Sequence, residues 1–326
     1  MEYVKFGNTG LDVSRLSLGT MGFGDPVNWV HRWALNETDS RPVIKKALDL
    51  GINFFDTANM YANGVSEEIL GNALKDFARR EEVVIETKVF WKMFDGPNAA
   101  GLSRKAIMTE VDNSLRRLRT DYIDIYVVHR WDYNTPIEET MEALHDLVKM
   151  GKVRYLGASN MYAWQFQKAQ NVAEKHGWTK FVSMQDHLNL IYREEEREML
   201  PYCEDTNIAI TPYSPLAAGR LTRDRNESSL RLETDKVAVS KYGSTEDVDA
   251  IIIDRVGEVA AEKNVSRSDI ALAWLLQKKQ VVAPIIGATK MSHLDTAVKA
   301  LSVNLTPEEV HYLEEAYQPH PVVGAN

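Results

Sequence analysis

Four side chains able to do acid–base chemistry stand where short apolar runs end. Asp56 closes the run in FFDTANMY, Tyr61 follows it, Lys88 closes VIETK and His129 closes YVVH. A tyrosine hydroxyl, with an ordinary pKa of about 10, gives up its proton well only beside a cation. A lysine in a partly dry pocket supplies that cation, and a carboxylate partner keeps it charged. Asp56, Lys88 and Tyr61 suit those roles. Reducing a carbonyl requires a proton donor and a hydride donor. No side chain supplies hydride, so such a site implies a nicotinamide cofactor. Singly, each residue has an ordinary explanation: Asp56 as a helix cap, Tyr61 as surface packing, His129 as a satisfied core histidine. Four at successive run ends make a stronger case than any one.

Those positions matter only if the runs are strands opening on one mouth. Eight β-rich runs recur along the chain: Leu16–Gly19, Asn53–Asp56, Val83–Lys88, Ile123–His129, Val153–Ser159, Phe181–Gln185, Ile208–Tyr213 and Val281–Gly287. Most are continuously apolar rather than alternating, as in a parallel sheet covered on both faces. Helix-period segments separate them, including Ser66–Phe77, Ser103–Leu118 and Ile137–Met150, two of which start at a serine N-cap. Strand then helix, about eight times over, predicts a (β/α)8 TIM barrel, whose active site lies at the C-terminal ends of its strands. A doubly wound open sheet shows the same alternation, but the chain has no G-x-G-x-x-G turn, Walker A loop or H-E-x-x-H helix. Gly157–Met161 resembles a nucleophile elbow without its last glycine. Val4–Phe6 and Val13–Arg15 predict an N-terminal β-hairpin plugging the barrel bottom, and an extra C-terminal helix is expected. The polar stretch Asp224–Asp249 reads as a long loop on the catalytic face. The REEER run at Arg193–Arg197 reads as a solvated helix face, and Met184 and Met199 as core fillers.

The chain has 326 residues and no Pro/Gly/Ser-rich linker, so residues 1–326 are read as a single domain. A composition 44% hydrophobic and 26% charged excludes intrinsic disorder. With Lys+Arg 38 against Asp+Glu 47, the net charge is −9, which disfavours nucleic acid and anionic membrane surfaces as partners. The basic pairs Arg79-Arg80, Arg116-Arg117 and Lys278-Lys279 each lie late in a helix-like segment, where a cation suits the helix dipole. Cys203 is the one cysteine, so neither a disulfide nor a multi-cysteine metal site is expected. The N-terminus lacks the apolar core of a signal peptide, and no apolar run reaches the roughly 20 residues of a membrane span. The chain reads as cytoplasmic.

The runs GLDVSRLSLGTMGFG, INFFDTANMY, VIETKVF, VVHRWD, GKVRYLGASN, TPYSPLAAGRLT and PIIGATK resemble, in order, the motifs of the aldo-keto reductase family. The resemblance implies a (β/α)8 barrel that binds NADPH extended, without a Rossmann fold. It places the family's tetrad on Asp56, Tyr61, Lys88 and His129, with Tyr61 as proton donor and His129 orienting the carbonyl. It assigns the nicotinamide carboxamide to Ser159, Asn160 and Gln185, ring stacking to Tyr213, and the first βα loop to Gly19, Thr20 and Met21. Ser214, Leu216, Gly219 and Arg220, helped by Arg231, match the pyrophosphate strap. Gly287, Thr289 and Lys290 match the segment near the adenosine 2′-phosphate. His293, Thr296 and Ala297 stand where many members carry Gln or Arg, then Glu and Asn.

The substrate expected is a small carbonyl compound. Trp33, Trp91, Arg130 and Trp131 are expected to line its pocket, and His31, Arg32, Lys92 and Arg130 to form a positive rim suiting an anion such as a sugar phosphate. Closely similar bacterial, enterobacterial-type members are linked to pentose-derived sugar phosphates, which makes that the narrower expectation. Two other classes stay open: a cofactor-binding subunit of the potassium-channel type, which keeps the tetrad, and a barrel isomerase without redox chemistry.

Overall fold

The structure, a computed structural model, describes residues 1–324. An antiparallel hairpin, β1 (Tyr3–Lys5) and β2 (Asp12–Ser14), opens the chain. Then follow β3 (Ser17–Gly19), α1 (Glu37–Asp49), β4 (Phe54–Asp56), α2 (Val65–Phe77), β5 (Val84–Val89), α3 (Arg104–Leu118), β6 (Ile123–Val128) and α4 (Ile137–Lys149). The second half runs β7 (Val153–Ser159), α5 (Ala163–His176), β8 (Phe181–Gln185), α6 (Met199–Asp205) and β9 (Ala209–Ile210). It continues through α7 (Leu230–Thr234), α8 (Lys236–Tyr242), α9 (Glu246–Lys263), α10 (Arg267–Leu276), β10 (Ile285–Gly287), α11 (Met291–Ala300) and α12 (Pro307–Glu314).

Strands β3 to β10 form one parallel sheet in the order β10-β3-β4-β5-β6-β7-β8-β9. The two ends meet: Ile210 bridges Val281 in parallel, Val282 N donates to the Ile210 carbonyl at 2.9 Å, and Ile285 N to that of Pro212 at 2.8 Å. The fold is the expected (β/α)8 barrel. β5 and β6 are rich in β-branched residues and buried along their whole length, which their near-continuous apolar sequence requires.

The barrel interior beneath the mouth is filled by Phe54, Val84, Ile125, Val127, Ala209 and Ala283, with Phe6 and Val13 of the hairpin. Phe6 meets Phe54 edge to face at 5.7 Å between ring centroids. The turn beyond it needs glycine: Gly7 sits at φ +57°, and a Cβ there would lie 2.6 Å from the Ala209 nitrogen. The larger cluster lies between the sheet and its helices and contains Met184 and Met199, both core fillers as expected. The extra C-terminal helix is α12, tied to α10 by Trp274 Nε1 donating to Glu314 Oε1 at 2.7 Å.

Two readings are corrected. Asp224–Asp249 is not a loop but mostly helix: the Ser229 side chain accepts from Leu232 N to start α7, and Asp235 accepts from Ala238 N to start α8. A polar stretch carrying caps becomes helix when one face has something to bury, here Ala238 and Tyr242. The REEER run is not a solvated face. Glu194 is buried and accepts from Tyr317 OH and His320 N, both at 2.7 Å. Arg193 pairs with Glu196 at 2.6 Å and Glu314 at 3.2 Å. The run therefore anchors the C-terminal segment. Burial and neighbouring Glu194 raise Glu195 to about 7. Likewise Arg117 does more than suit a helix dipole: its Nε donates to wholly buried Glu67 at 2.6 Å, joining α3 to α2.

Candidate active site

Parallel register brings the four chemistry-bearing residues to one mouth. Gly287, Gly19, Asp56 and Glu86 occupy one row across β10, β3, β4 and β5, and Lys88 lies two residues beyond Glu86 on the same face of β5. Lys88 is fully buried, and its Nζ donates to Asp56 Oδ1 at 2.5 Å, to the Thr57 carbonyl at 2.8 Å and to Tyr61 OH at 3.5 Å. Tyr61 follows β4 on a tight turn whose next residues, Ala62 and Asn63, hold left-handed φ of 48° and 54°. Such strain in non-glycine residues survives only where packing over-determines it. His129 begins the loop after β6, with its ring edge-on to Tyr61 at 6.1 Å and to Trp91 at 6.3 Å.

Burial sets the electrostatics. Desolvation works against the Lys88 cation, but Asp56, Tyr61 and Glu86 more than offset it, so its pKa lies above the ordinary lysine value. Burial raises the Tyr61 phenol above its ordinary value, and Lys88 only partly opposes that rise. Lys88 does lower Tyr61 as expected, but in a site this dry loss of solvent is the larger effect. Burial, then Lys88, Arg130 and Lys241, hold His129 well below the usual histidine value, so it is neutral at pH 7. Its Nδ1 is buried without a hydrogen-bond partner.

Sequence reasoning missed Glu86. The residue is fully buried, its Oε1 accepts from Gln185 Nε2 at 2.5 Å, and the same nitrogen reaches Asp56 Oδ1 at 2.9 Å. Burial and the Asp56 charge push the Glu86 carboxyl well above the carboxylate range. Its signal was the two-residue spacing from Lys88, which puts both side chains on one strand face.

The residues expected around a cofactor lie along the same mouth. Ser159 Oγ donates to the Gln185 carbonyl at 2.9 Å and receives Asn160 Nδ2 at 2.7 Å. Tyr213 OH donates to Asn160 Oδ1 at 2.7 Å. Thr20 N donates to the Asp56 carbonyl at 2.8 Å, and Met21 starts the turn after it. The strap from Ser214 through Leu216 to Gly219 is a run of turns with left-handed φ at Ser214, Ala217, Ala218 and Gly219. Arg220 lies over the Tyr242 ring with a buried, unpartnered Nη1, whereas Arg231 is engaged, its Nε donating to Asp235 Oδ2 at 3.2 Å. Past Gly287, Thr289 N donates to His293 Nδ1 at 3.4 Å, and Lys290 is exposed. Burial, Lys290 and Arg223 hold His293 below its ordinary value, which brings Arg223 into that corner too.

Of the expected pocket residues, Arg130 lies 5.3 Å from the centroid of the Trp91 ring, beside His129. Trp131 packs beside Trp164, with ring centroids 6.1 Å apart, and Trp33 packs under Arg231. The expected positive rim is not assembled as read. His31 is buried between Trp29 and Trp33, facing Asp235, and Lys92 is paired with Asp95 at 2.6 Å. Gly324 reaches the site from the C-terminal segment: a Cβ there would lie 2.7 Å from Asn160 Oδ1.

The model of the Aldo/keto reductase family matches residues 15–318, and the chain belongs to that family. It is 45% identical to the versiconal hemiacetal acetate reductase of Aspergillus parasiticus, over 99% of this chain and 98% of that one. An aldo-keto reductase of Alternaria alternata is 44% identical, over 99% and 93% of the two chains. A Schizosaccharomyces pombe protein provisionally named an aryl-alcohol dehydrogenase is 43% identical, over 99% and 97%. These relatives are fungal, so the expected affiliation with bacterial sugar-phosphate members finds no support. Among the described residues, no helix is long and apolar enough to cross a membrane.

Proposed function

We propose that the protein reduces aldehydes or ketones to alcohols with NADPH, and that Tyr61 is the proton donor. The observation that carries this reading is the buried Lys88, its Nζ 2.5 Å from Asp56 Oδ1 and 3.5 Å from Tyr61 OH. A bound nicotinamide cofactor supplies the hydride in this chemistry. The residues present fit such a group: Arg220 Nη1 is buried and unpartnered, and among the described residues Lys290 makes no ion pair. Arg220 with the strap would hold the pyrophosphate, Lys290 and Thr289 the 2′-phosphate, and Asn160, Ser159 and Gln185 the carboxamide.

The chain's own part is proton supply and orientation. Tyr61 OH gives its proton to the carbonyl oxygen as that oxygen gains negative charge, and Lys88 stabilises the phenolate left behind. Asp56 holds Lys88 in place. Neutral His129 orients the carbonyl oxygen, and the strained turn after Tyr61 fixes the hydroxyl.

Turnover of an aldehyde panel, followed by NADPH oxidation, tests the reading. Cofactor binding without turnover would favour the channel-subunit class, and no cofactor binding at all would favour the isomerase class. The preference for NADPH over NADH rests on Lys290. Lys290→Met should weaken NADPH by about 1–3 kcal/mol, as for a charge-assisted hydrogen bond, and leave NADH nearly unchanged. Equal weakening of both would remove Lys290 from the 2′-phosphate.

A further inference from the structure

Two cations converge on the mouth without an acidic partner. Arg130 directly follows His129, lies against the Trp91 ring, and has a buried Nε with no hydrogen-bond partner. Lys241 comes from α8, far along the chain, and lies 4.4 Å from the Tyr213 ring centroid with its Nζ donating to Tyr213 OH at 3.3 Å. Among the described residues neither pairs with a carboxylate. The acid that acts on Lys241, Asp235, is already engaged: Oδ1 accepts from Ala238 N at 3.0 Å and Oδ2 takes Arg231 at 3.2 Å. Asp132, two residues after Arg130, accepts instead from Leu102 N and Thr135 Oγ1, both at 2.7 Å. The two cations repel each other: burial, then Arg130 and Arg231, lower Lys241 to about 8 against the opposing pull of Asp235. Half-buried like charges without a counter-ion are costly, and an anionic ligand removes that cost.

We propose that Arg130 and Lys241 form a subsite for an acidic group carried by the carbonyl substrate, so that aldehydes or ketones bearing a carboxylate or phosphate on an apolar or aromatic body are preferred. The inference rests on the reductase reading and names its substrate class. The anion is assigned to the substrate because Arg130 adjoins His129 and lies over the partly exposed Trp91 ring. The aromatic body would lie on Trp91, which is 36% exposed and already holds His129 and Arg130 at its ring.

The test compares 4-carboxybenzaldehyde with 4-formylbenzamide, which has nearly the same shape but no charge, and whose somewhat stronger electron withdrawal works against the expected preference. The native protein should favour the carboxylate in kcat/KM by about tenfold or more, the scale of one charge-assisted contact. Arg130→Met and Lys241→Met should each remove most of that preference, Lys241→Arg should keep it, and added salt should weaken it. A ratio near one in the native protein overturns the proposal. So does a rise in NADPH Kd in both Met variants with the preference intact, since the cations would then serve the cofactor. Calorimetric titration of the NADP+-loaded protein with benzoate and benzamide gives a readout independent of turnover. Tighter benzoate binding lost in Arg130→Met supports the subsite even if neither aldehyde is reduced, in which case the reductase reading alone fails. Equal binding of the two overturns the subsite.

Discussion

At the scale of single residues, chemistry and stability separate cleanly at Tyr61 and Glu86. Tyr61→Phe keeps the ring and removes only the hydroxyl. Aldehyde reduction should fall by roughly 10²–10⁴-fold in kcat, the usual contribution of a general acid, with NADPH Kd hardly moved. Lys88→Met should do comparable harm, and the double variant should lose far less than the product of the two, because the pair acts as a unit. Full-rate turnover by Tyr61→Phe would remove it from the mechanism. Glu86 makes a different test. Its folded carboxyl is held well above the ordinary range. As pH rises past that range the unfolded chain releases this proton while the folded chain keeps it, so the native protein loses stability as pH climbs toward the folded pKa. Glu86→Gln mimics the protonated acid and feels no such loss. The stability of Glu86→Gln relative to native, read from thermal melts, should therefore increase as pH climbs above the ordinary glutamate range, by at most about 1.4 kcal/mol per pH unit. A difference flat above that range would show that Glu86 is already ionised in the folded protein.

At the scale of elements, the segment between β9 and α9 is expected to open more readily than the barrel. α7 and α8 are short, capped helices whose outward residues Leu230, Val237 and Val239 are exposed, while Ala238 and Tyr242 anchor the inner face. Local opening costs little where few apolar contacts are buried. Limited proteolysis of the free protein should cut within residues 224–245, and saturating NADPH should slow the cut, because Arg220 and the strap would close on the phosphates. Cleavage at the same rate with and without cofactor would mean the segment does not close.

Across the whole molecule, the barrel separates a stabilising pole from a reactive one. The hairpin fills the lower end with Phe6 and Val13, while every residue named in the mechanism stands at the opposite ends of the strands. Phe6→Ala should lower stability by about 3–5 kcal/mol, as for other buried aromatic truncations, and leave kcat on an aldehyde unchanged below the unfolding transition. Thermal melts and assays on one preparation decide this. A parallel loss of kcat would mean that the two ends of the barrel are coupled.

The sequence by itself determined the strand–helix alternation and the chemistry at the strand ends, because both are local: a run of apolar β-branched residues, a cap, a charged residue where the run stops. That was enough to place Asp56, Tyr61, Lys88 and His129 at one mouth once the sheet was parallel. Only the tertiary structure decided what lies far apart in the chain and close in space. Glu86 shares Gln185 with Asp56 across three strands' worth of sequence, and Lys241 reaches Tyr213 from a helix read as loop. His31 and the REEER run, charged or titratable and so expected at the surface, are drawn inward by Asp235 and by the C-terminal segment. No periodicity encodes such pairings. They depend on which elements the closed barrel sets side by side, and burial there decides which form of each titratable group survives.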